Sequence, residues 1–347
     1  MKYKSIYIYI PLIIFGCRNP ETPQTISINE NTKISKELPL VEDKKFNQLF
    51  EYVGGTPYEF FEVDTGMYIF DIKAKENKII HFFSFGEQEI IKSMINKGNG
   101  LYESFSPKTT NIKNEIMTIH DFSMKKIIEL KLNSDESVRE VKLPNYFNEV
   151  KIINKSSLIG NGSLNSNKKF QIINLSNGEI MEEFGDYLNI PENLITETLK
   201  QYFQFTSTTN PDGSKIASGY RWHDQIEIFN LESKKSFAIK LPTLINNLFA
   251  LQIDPSGRYS LERGGEIQHC FMNISSTENY IYGLFSGKKD FEENAFFGRH
   301  VYVYDWEGNP IKQINLDRDV MTISVSPDDK RLYAFDIDTS EVLFIDL

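Results

Sequence analysis

The sequence predicts an all-β chain: a six-bladed β-propeller over residues 34–347, its ring closed by an N-terminal strand that completes the last blade. A recurring strand, a recurring turn and the interval between them carry this prediction. The strand alternates apolar and polar residues and ends in Asp or Asn. It reads Met67–Asp71 (MYIFD), Ile116–Asp121 (IMTIHD), Phe170–Asn174 (FQIIN), Ile226–Asn230 (IEIFN), Val301–Asp305 (VYVYD) and Leu332–Asp336 (LYAFD). Period-two alternation of Tyr, Phe, Ile and Val suits a half-buried strand, and a terminal Asp or Asn can accept backbone N–H groups two residues on, which starts a turn. The turn is Asn210-Pro211-Asp212-Gly213, with Ser326-Pro327-Asp328-Asp329 and Asp254-Pro255-Ser256-Gly257 as relatives. Proline fixes φ, and Asp-Gly supplies the reversal of a tight hairpin.

Aligning on the strand after that turn gives anchors at Met67, Ile116, Leu158, Ile216, Ile281 and Leu332, with intervals of 49, 42, 58, 65 and 51 residues. About four short strands per interval make a propeller blade rather than a helical solenoid or an immunoglobulin-like sandwich. The blades are expected at 50–97, 104–144, 148–185, 204–242, 250–317 and 320–347. The last holds three strands when the sequence stops. Ile34–Leu40 resembles the fourth strands Val138–Pro144 and Ser236–Pro242. It is expected to fill the gap, with Leu38 beside Phe344, and to leave no bare edge. One helix is expected at Pro191–Phe203, where Ile195, Leu199 and Phe203 share a face. An insertion at Asp290–Gly298, bearing Phe291, Phe296 and Phe297, interrupts blade five.

The first residues read as an address. Lys2 and Lys4 precede an apolar run, Ile6–Phe15, then Gly16 and Cys17. The run is about half of the ~20 residues a bilayer span needs, so residues 1–16 are read as a secretion signal. The Ile14-Phe15-Gly16-Cys17 ending resembles a bacterial lipobox, although Phe15 is bulky where a small residue is usual. Cys17 then carries lipid and holds the protein on a membrane through acyl chains. An ordinary signal with an incidental Cys17 is the plainer alternative. Residues 17–33, with Pro20, Pro23 and three threonines, read as a flexible tether. Arg18 after the cysteine points to an outer-membrane lipoprotein.

Removing residues 1–16 takes two lysines and deepens the net charge from −10 to −12. Phosphate binding needs clustered Lys and Arg, so nucleic acid is set aside as a partner. With Cys17 acylated, Cys270 is alone and no internal disulfide forms. Cys270 is expected as a small buried hydrophobe, not a nucleophile served by His269, since strand neighbours face opposite ways.

At this point the chain resembles the TolB-like six-bladed propeller lipoproteins of Bacteroidetes-type bacteria. The likeness covers most of the mature chain. It rests on the lipobox-like start, the Pro-Asp-Gly turns, Tyr280–Gly287 (YIYGLFSG) and Val301–Pro310 (VYVYDWEGNP). Members often carry Gly-x-Gly-Pro-Gly-Glu after the first blade, and Gly98–Glu103 (GNGLYE) keeps part of it. The resemblance implies the fold and an envelope location, and no settled activity.

No His-Glu-x-x-His and no Gly-x-Ser-x-Gly occurs, which excludes zincin and α/β-hydrolase chemistry. Gly98-Asn99-Gly100 lacks the following Lys-Ser or Lys-Thr of a phosphate loop, and Asp336–Glu341 lacks the sixth-position Gly of a calcium loop. No metal or other cofactor is called for. Arg221-Trp222-His223-Asp224 groups a cation, an aromatic, an imidazole and a carboxylate at a strand end, a set able to grip an anionic or sugar-like ligand. A hairpin tip whose Trp packs on the neighbouring blade is the plainer reading. A second candidate joins Arg263 and His269 with Arg299 and His300. Two functional classes follow: a noncatalytic envelope scaffold presenting one ring face to a protein or glycan, or a propeller enzyme with a metal held at the ring axis.

Overall fold

A computed structural model describes residues 28–35, 37–113, 115–132, 134, 136–188, 190, 194–243, 245, 247, 250–253, 259–262 and 266–347. The signal and Cys17 lie outside these residues. Three N-terminal strands come first: β1 (Thr32–Ile34), β2 (Val41–Lys44) and β3 (Asn47–Glu51). Blade one is β4 (Pro57–Val63), β5 (Gly66–Asp71), β6 (Lys78–Ser84) and β7 (Glu89–Asn96). Blade two is β8 (Pro107–Lys113), β9 (Ile116–Asp121), β10 (Lys126–Lys131) and β11 (Glu136–Lys142). Blade three is β12 (Glu149–Asn154), β13 (Ser157–Asn161), β14 (Phe170–Asn174) and β15 (Ile180–Phe184). Helix α1 (Thr196–Tyr202) leads to blade four: β16 (Phe205–Thr209), β17 (Lys215–Tyr220), β18 (Gln225–Asn230) and β19 (Ser236–Lys240). A hairpin of β20 (Ala250–Ile253) and β21 (Tyr259–Glu262) precedes blade five, which is β22 (Phe271–Ser276), β23 (Tyr280–Phe285), β24 (Gly298–Asp305) and β25 (Pro310–Val320). Blade six is β26 (Ile323–Val325), β27 (Arg331–Asp336), β28 (Glu341–Asp346) and, antiparallel to β28, the N-terminal β3.

All six anchors lie on second strands, and each strand-ending Asp or Asn forms the expected turn. The side-chain Oδ1 of Asp71, Asp121, Asn174, Asn230, Asp305 and Asp336 accepts the backbone N–H of Lys73, Met124, Ser176, Ser233, Glu307 and Asp338, at 2.7–3.0 Å. The core lies between blades rather than within them. Six apolar clusters each join two neighbouring sheets, as where Tyr68, Phe70 and Ile80 of blade one meet Met117 and Ile119 of blade two. Strands packed on both faces are buried along their length, as all six residues of β5 are.

Gly213 shows why the Pro-Asp-Gly turn needs glycine. Its φ is +74°, and a Cβ there would lie 1.8 Å from the Ile153 carbonyl oxygen of blade three. Gly213→Ala is expected to cost about 2 kcal/mol in urea unfolding, from left-handed strain plus a backbone clash that no side chain can relieve. An unchanged midpoint would show that the turn simply shifts.

Several expectations are corrected. The closing strand is Asn47–Glu51, not Ile34–Leu40: Phe344 faces Asn47 in register, and Leu38 packs against the cluster between blades four and five. Phe50 decides the choice, since its ring stacks on Phe83 of blade one at 3.9 Å, whereas Ile34 stays 69% exposed. The upstream strands instead strap the rim, β1 parallel to the outer strand β19 and β2 parallel to the outer strand β25. Of the residues expected in a tether, the described ones are seated on the ring: Ile28 is buried among residues of blades three and four, and Thr32 and Lys33 belong to β1. Blade five starts at Phe271 rather than near 250, because β20 and β21 pair only with each other. Of the expected helix, Thr196–Tyr202 is helical, with Leu199 buried, while Pro191 and Glu192 lie outside the described residues.

Candidate functional site

Each first strand runs along the ring axis, and together the six frame a channel of about 970 Å³. A first strand has one free backbone edge, and in several blades a polar side chain of a neighbouring blade satisfies it. Ser207 donates its N–H and hydroxyl to Glu149 Oε2 at 2.6 and 2.8 Å. Ser324, Asn273 and Ser275 accept the N–H groups of Phe60, Ile323 and Val325 at 3.1, 3.1 and 3.2 Å. These residues stitch blade to blade. Charged side chains also line the channel. Lys151 reaches across blade two to Glu59, at 3.9 Å, Lys108 donates to the Asn148 carbonyl at 3.5 Å, and among the described residues Glu62 Oε2 is buried with no hydrogen-bond partner. The channel reaches the turns between first and second strands, where Asp64, Asn210 and Glu278 stand at its mouth. Among the described residues no group of three or more His, Cys, Asp and Glu is gathered to hold a metal.

The loop candidates have a different fate. Arg221, Trp222 and His269, from both expected groups, do come together with Phe296 and Asp290 of the insertion. Arg221 Nε lies 3.5 Å from His269 Nδ1, and its guanidinium sits 5.2 and 4.8 Å from the Trp222 and Phe296 rings. His269 Nε2 is 2.7 Å from Asp290 Oδ1, and its ring is 4.6 Å from Trp222. Trp222 and His269 are buried, and the Trp222 indole donates to the Gln201 carbonyl at 3.0 Å, so this cluster fastens the insertion and α1 to blade four. His223 faces inward to the Tyr202 carbonyl, and burial lowers its pKa to about 4. Asp224 accepts from Thr243 at 2.5 Å, and burial raises its carboxyl above the usual range. Arg299 donates to the Leu316 and Asp317 carbonyls and His300 meets Asn315, so neither joins the cluster. Arg263 lies outside the described residues. The Cys270 thiol is buried, its pKa is pushed well up by burial, and its sulfur meets only the Gln268 carbonyl, at 3.9 Å, which disqualifies it as a nucleophile.

The axial residues were not singled out from sequence. Their signal is a polar residue at alternate positions of the strand before each anchor, as in Glu59, Lys108, Glu149, Ser207, Asn273 and Ser324.

Six four-stranded sheets around an axial channel define a six-bladed β-propeller. The chain belongs to the TolB-like six-blade propeller family, whose model matches residues 39–328. Its fold is similar to that of a Bacteroides fragilis protein described as exported, with a TM-score of 0.55 at 10% identity, over 90% of this chain and 99% of that one. It is also similar to the Myceliophthora thermophila Cps50 (Swd1) propeller domain, with a TM-score of 0.47 at 9% identity, over 88% and 99% of the two chains. No curated protein matches the sequence. No helix among the described residues is long and apolar enough to cross a membrane.

Proposed function

We propose that this protein is a lipid-anchored, noncatalytic binding scaffold of the bacterial envelope, an outer-membrane lipoprotein that holds a protein segment or glycan in its axial channel. The channel carries the reading: hydroxyls, amides and the Lys108, Lys151 and Glu62 side chains line it beside apolar groups, and it reaches the turns between first and second strands. Charged groups of both signs among hydroxyls and amides suit a slender polar ligand that can donate and accept along its length. The lipobox-like ending at Cys17, membership of the TolB-like family and the likeness to a protein described as exported support the location.

Screening the mature protein against arrays of bacterial glycans and extended peptides tests it. A ligand retained by the wild type is expected to bind at least about tenfold more weakly to Lys151→Glu and to Glu62→Lys, with folding unchanged, because each reverses a charge in a partly dehydrated channel. Ligands that bind both variants as well as the wild type would place the site elsewhere on the ring.

A further inference from the structure

Charge is unevenly spread around the axial channel. Apart from Glu278 at the mouth, every charged side chain that lines it belongs to blades one to three, while blades four to six offer hydroxyls and amides such as Asn273, Ser275, Thr322 and Ser324. Two lysines stand at the end away from the mouth. Lys108 faces His120, one residue before the Asp121 that ends its second strand, and Glu59 faces Phe70, one residue before Asp71, so the two share a level. Lys151 comes to this level from blade three, 3.9 Å from Glu59. Neither ammonium is well served. Among the described residues Lys108 makes no ion pair, and its hydrogen bond to the Asn148 carbonyl is 3.5 Å long. Lys151 makes no hydrogen bond there, only the 3.9 Å approach to Glu59. Glu149, next to Asn148 in the chain, is already engaged, since its Oε2 accepts from the Ser207 N–H, the Ser207 hydroxyl and the Asn161 amide, all neutral donors. Two neutral groups nearby also lack partners among the described residues: the Tyr58 hydroxyl, of a residue that lines the channel, and the fully buried His120, on the same sheet face as Lys108. Burial, and then the charges of Lys108 and Lys151, lower the His120 pKa to about 3, which sets both ammoniums near one imidazole.

We propose that Lys108 and Lys151 form a carboxylate-binding subsite at the inner end of the channel, and that the ligand is a carboxylated sugar chain of the uronate type, its acid group between the two ammoniums. This rests on reading the channel as the ligand site, and it narrows the ligand to one class. Charge selects the acid. A partly buried ammonium without a counter-charge is costly, and a carboxylate at hydrogen-bonding distance offsets that cost. The other acids of the channel do not fill the subsite: Glu149 is held by neutral donors, and Asp64 and Glu278 stand at the mouth. Glu62 lies three residues from Glu59 toward the mouth, about 10 Å along the strand, where its buried Oε2 can accept a sugar hydroxyl. Backbone chemistry selects a sugar over a peptide. An extended peptide is held chiefly by adding to a free strand edge, and edge groups along this channel are taken. Side chains of neighbouring blades accept the N–H groups of Phe60, Ser207, Ile323 and Val325, and Ser276 donates to the Thr209 carbonyl. Among the described residues this leaves the Asn273 amide N–H groups and the Ser275 and Ser324 hydroxyl protons to donate to sugar oxygens, while the Tyr58 and Phe61 rings offer surface to the apolar face of a sugar.

Equilibrium binding to the mature protein at pH 7 tests this with galacturonate and mannuronate oligomers, their methyl esters, and a capped oligo-aspartate of the same charge. At least one of the two uronates is expected to bind saturably, with its ester and the peptide each at least about tenfold weaker, because the ester lacks the charge and the peptide finds no free strand edge. Lys108→Gln should weaken the uronate about tenfold and leave the ester unchanged, and Lys108→Arg, which keeps the charge, should retain most of the binding. Thr65→Trp/Glu278→Trp, at two exposed residues that line the mouth, narrows the channel without touching the lysines and should weaken acid and ester alike. Absence of uronate binding, an ester as tight as its acid, a peptide as tight as the uronate, or full affinity in Lys108→Gln would each overturn the proposal. The mouth variant separates this from the broader reading. A neutral ligand from the array that it weakens would leave the channel reading standing without the carboxylate subsite, whereas unchanged binding of every retained ligand would overturn both.

Discussion

Shifting the protein from pH 7 to pH 5 is expected to remove roughly 4 kcal/mol of stability through two buried histidines alone. His120 is fully buried in blade two, and neither ring nitrogen has a hydrogen-bond partner. Burial lowers its pKa to about 3, helped by the nearby Lys108 and Lys151 charges. His223 falls to about 4, again through burial, although the Tyr202 carbonyl acts in the opposite sense. Both values lie below the unfolded value of 6.5. As pH falls through 6.5 the unfolded chain takes up protons that the native chain refuses. The unfolded state then binds more protons, so stability rises with pH and is lost on acidification, fully so only below the folded pKa values. At pH 5 each imidazole is about 1.5 units below its free pKa, which corresponds to ~2 kcal/mol apiece. Asp224, raised by burial, opposes this trend. His120→Phe should therefore lose about half of the stability difference between the two pH values in urea unfolding. If that variant kept the whole difference, the burial of a neutral His120 would not be its source.

Sequence patterning found the blades because the decisive strands are local. A second strand such as Gly66–Asp71 is buried on both faces and must be apolar, and its closing Asp makes a turn with residues two or three places on. Closure was harder to read. Ile34–Leu40 and Asn47–Glu51 are both short alternating stretches, and what separates them is the stacking of Phe50 on Phe83, a contact that exists only once the ring has closed. The axial site is less local still: Glu59 and Lys151 come from blades one and three and meet across the channel only because six sheets share an axis. The Arg221 cluster shows the reverse. Its residue types suggest an exposed grip, while Trp222 and His269 are buried against each other, and burial is set by tertiary neighbours that a single loop does not encode.

Lys169→Met is expected to destabilise the protein by about 3–5 kcal/mol, because it leaves the Glu227 carboxylate buried without its cation. The two side chains are each 1% exposed and lie 2.7 Å apart between blades three and four, with the ammonium 5.6–5.8 Å from the Tyr187, Tyr220 and Phe229 rings. Glu227 also accepts from the Tyr220 hydroxyl at 2.6 Å, the Asn29 amide at 2.7 Å and Ser236 at 3.1 Å. Lys169 donates further to the Ile28 carbonyl, at 3.3 Å. Two consecutive residues of the N-terminal strap thus complete a charge network that the blades alone leave unsatisfied, and the network seats the strap. Glu227→Gln keeps an acceptor and removes the charge, so the double variant should regain much of what Lys169→Met loses, a coupling of about 2 kcal/mol or more. Loss of the ion pair should also loosen the strap, so that trypsin cuts at the exposed Lys33 faster in Lys169→Met than in the wild type. A single-variant loss under about 1 kcal/mol, strictly additive losses, or unchanged cleavage at Lys33 would mean that the strap is held by its pairing of Thr32–Ile34 with Ala238–Lys240 and not by the buried charges.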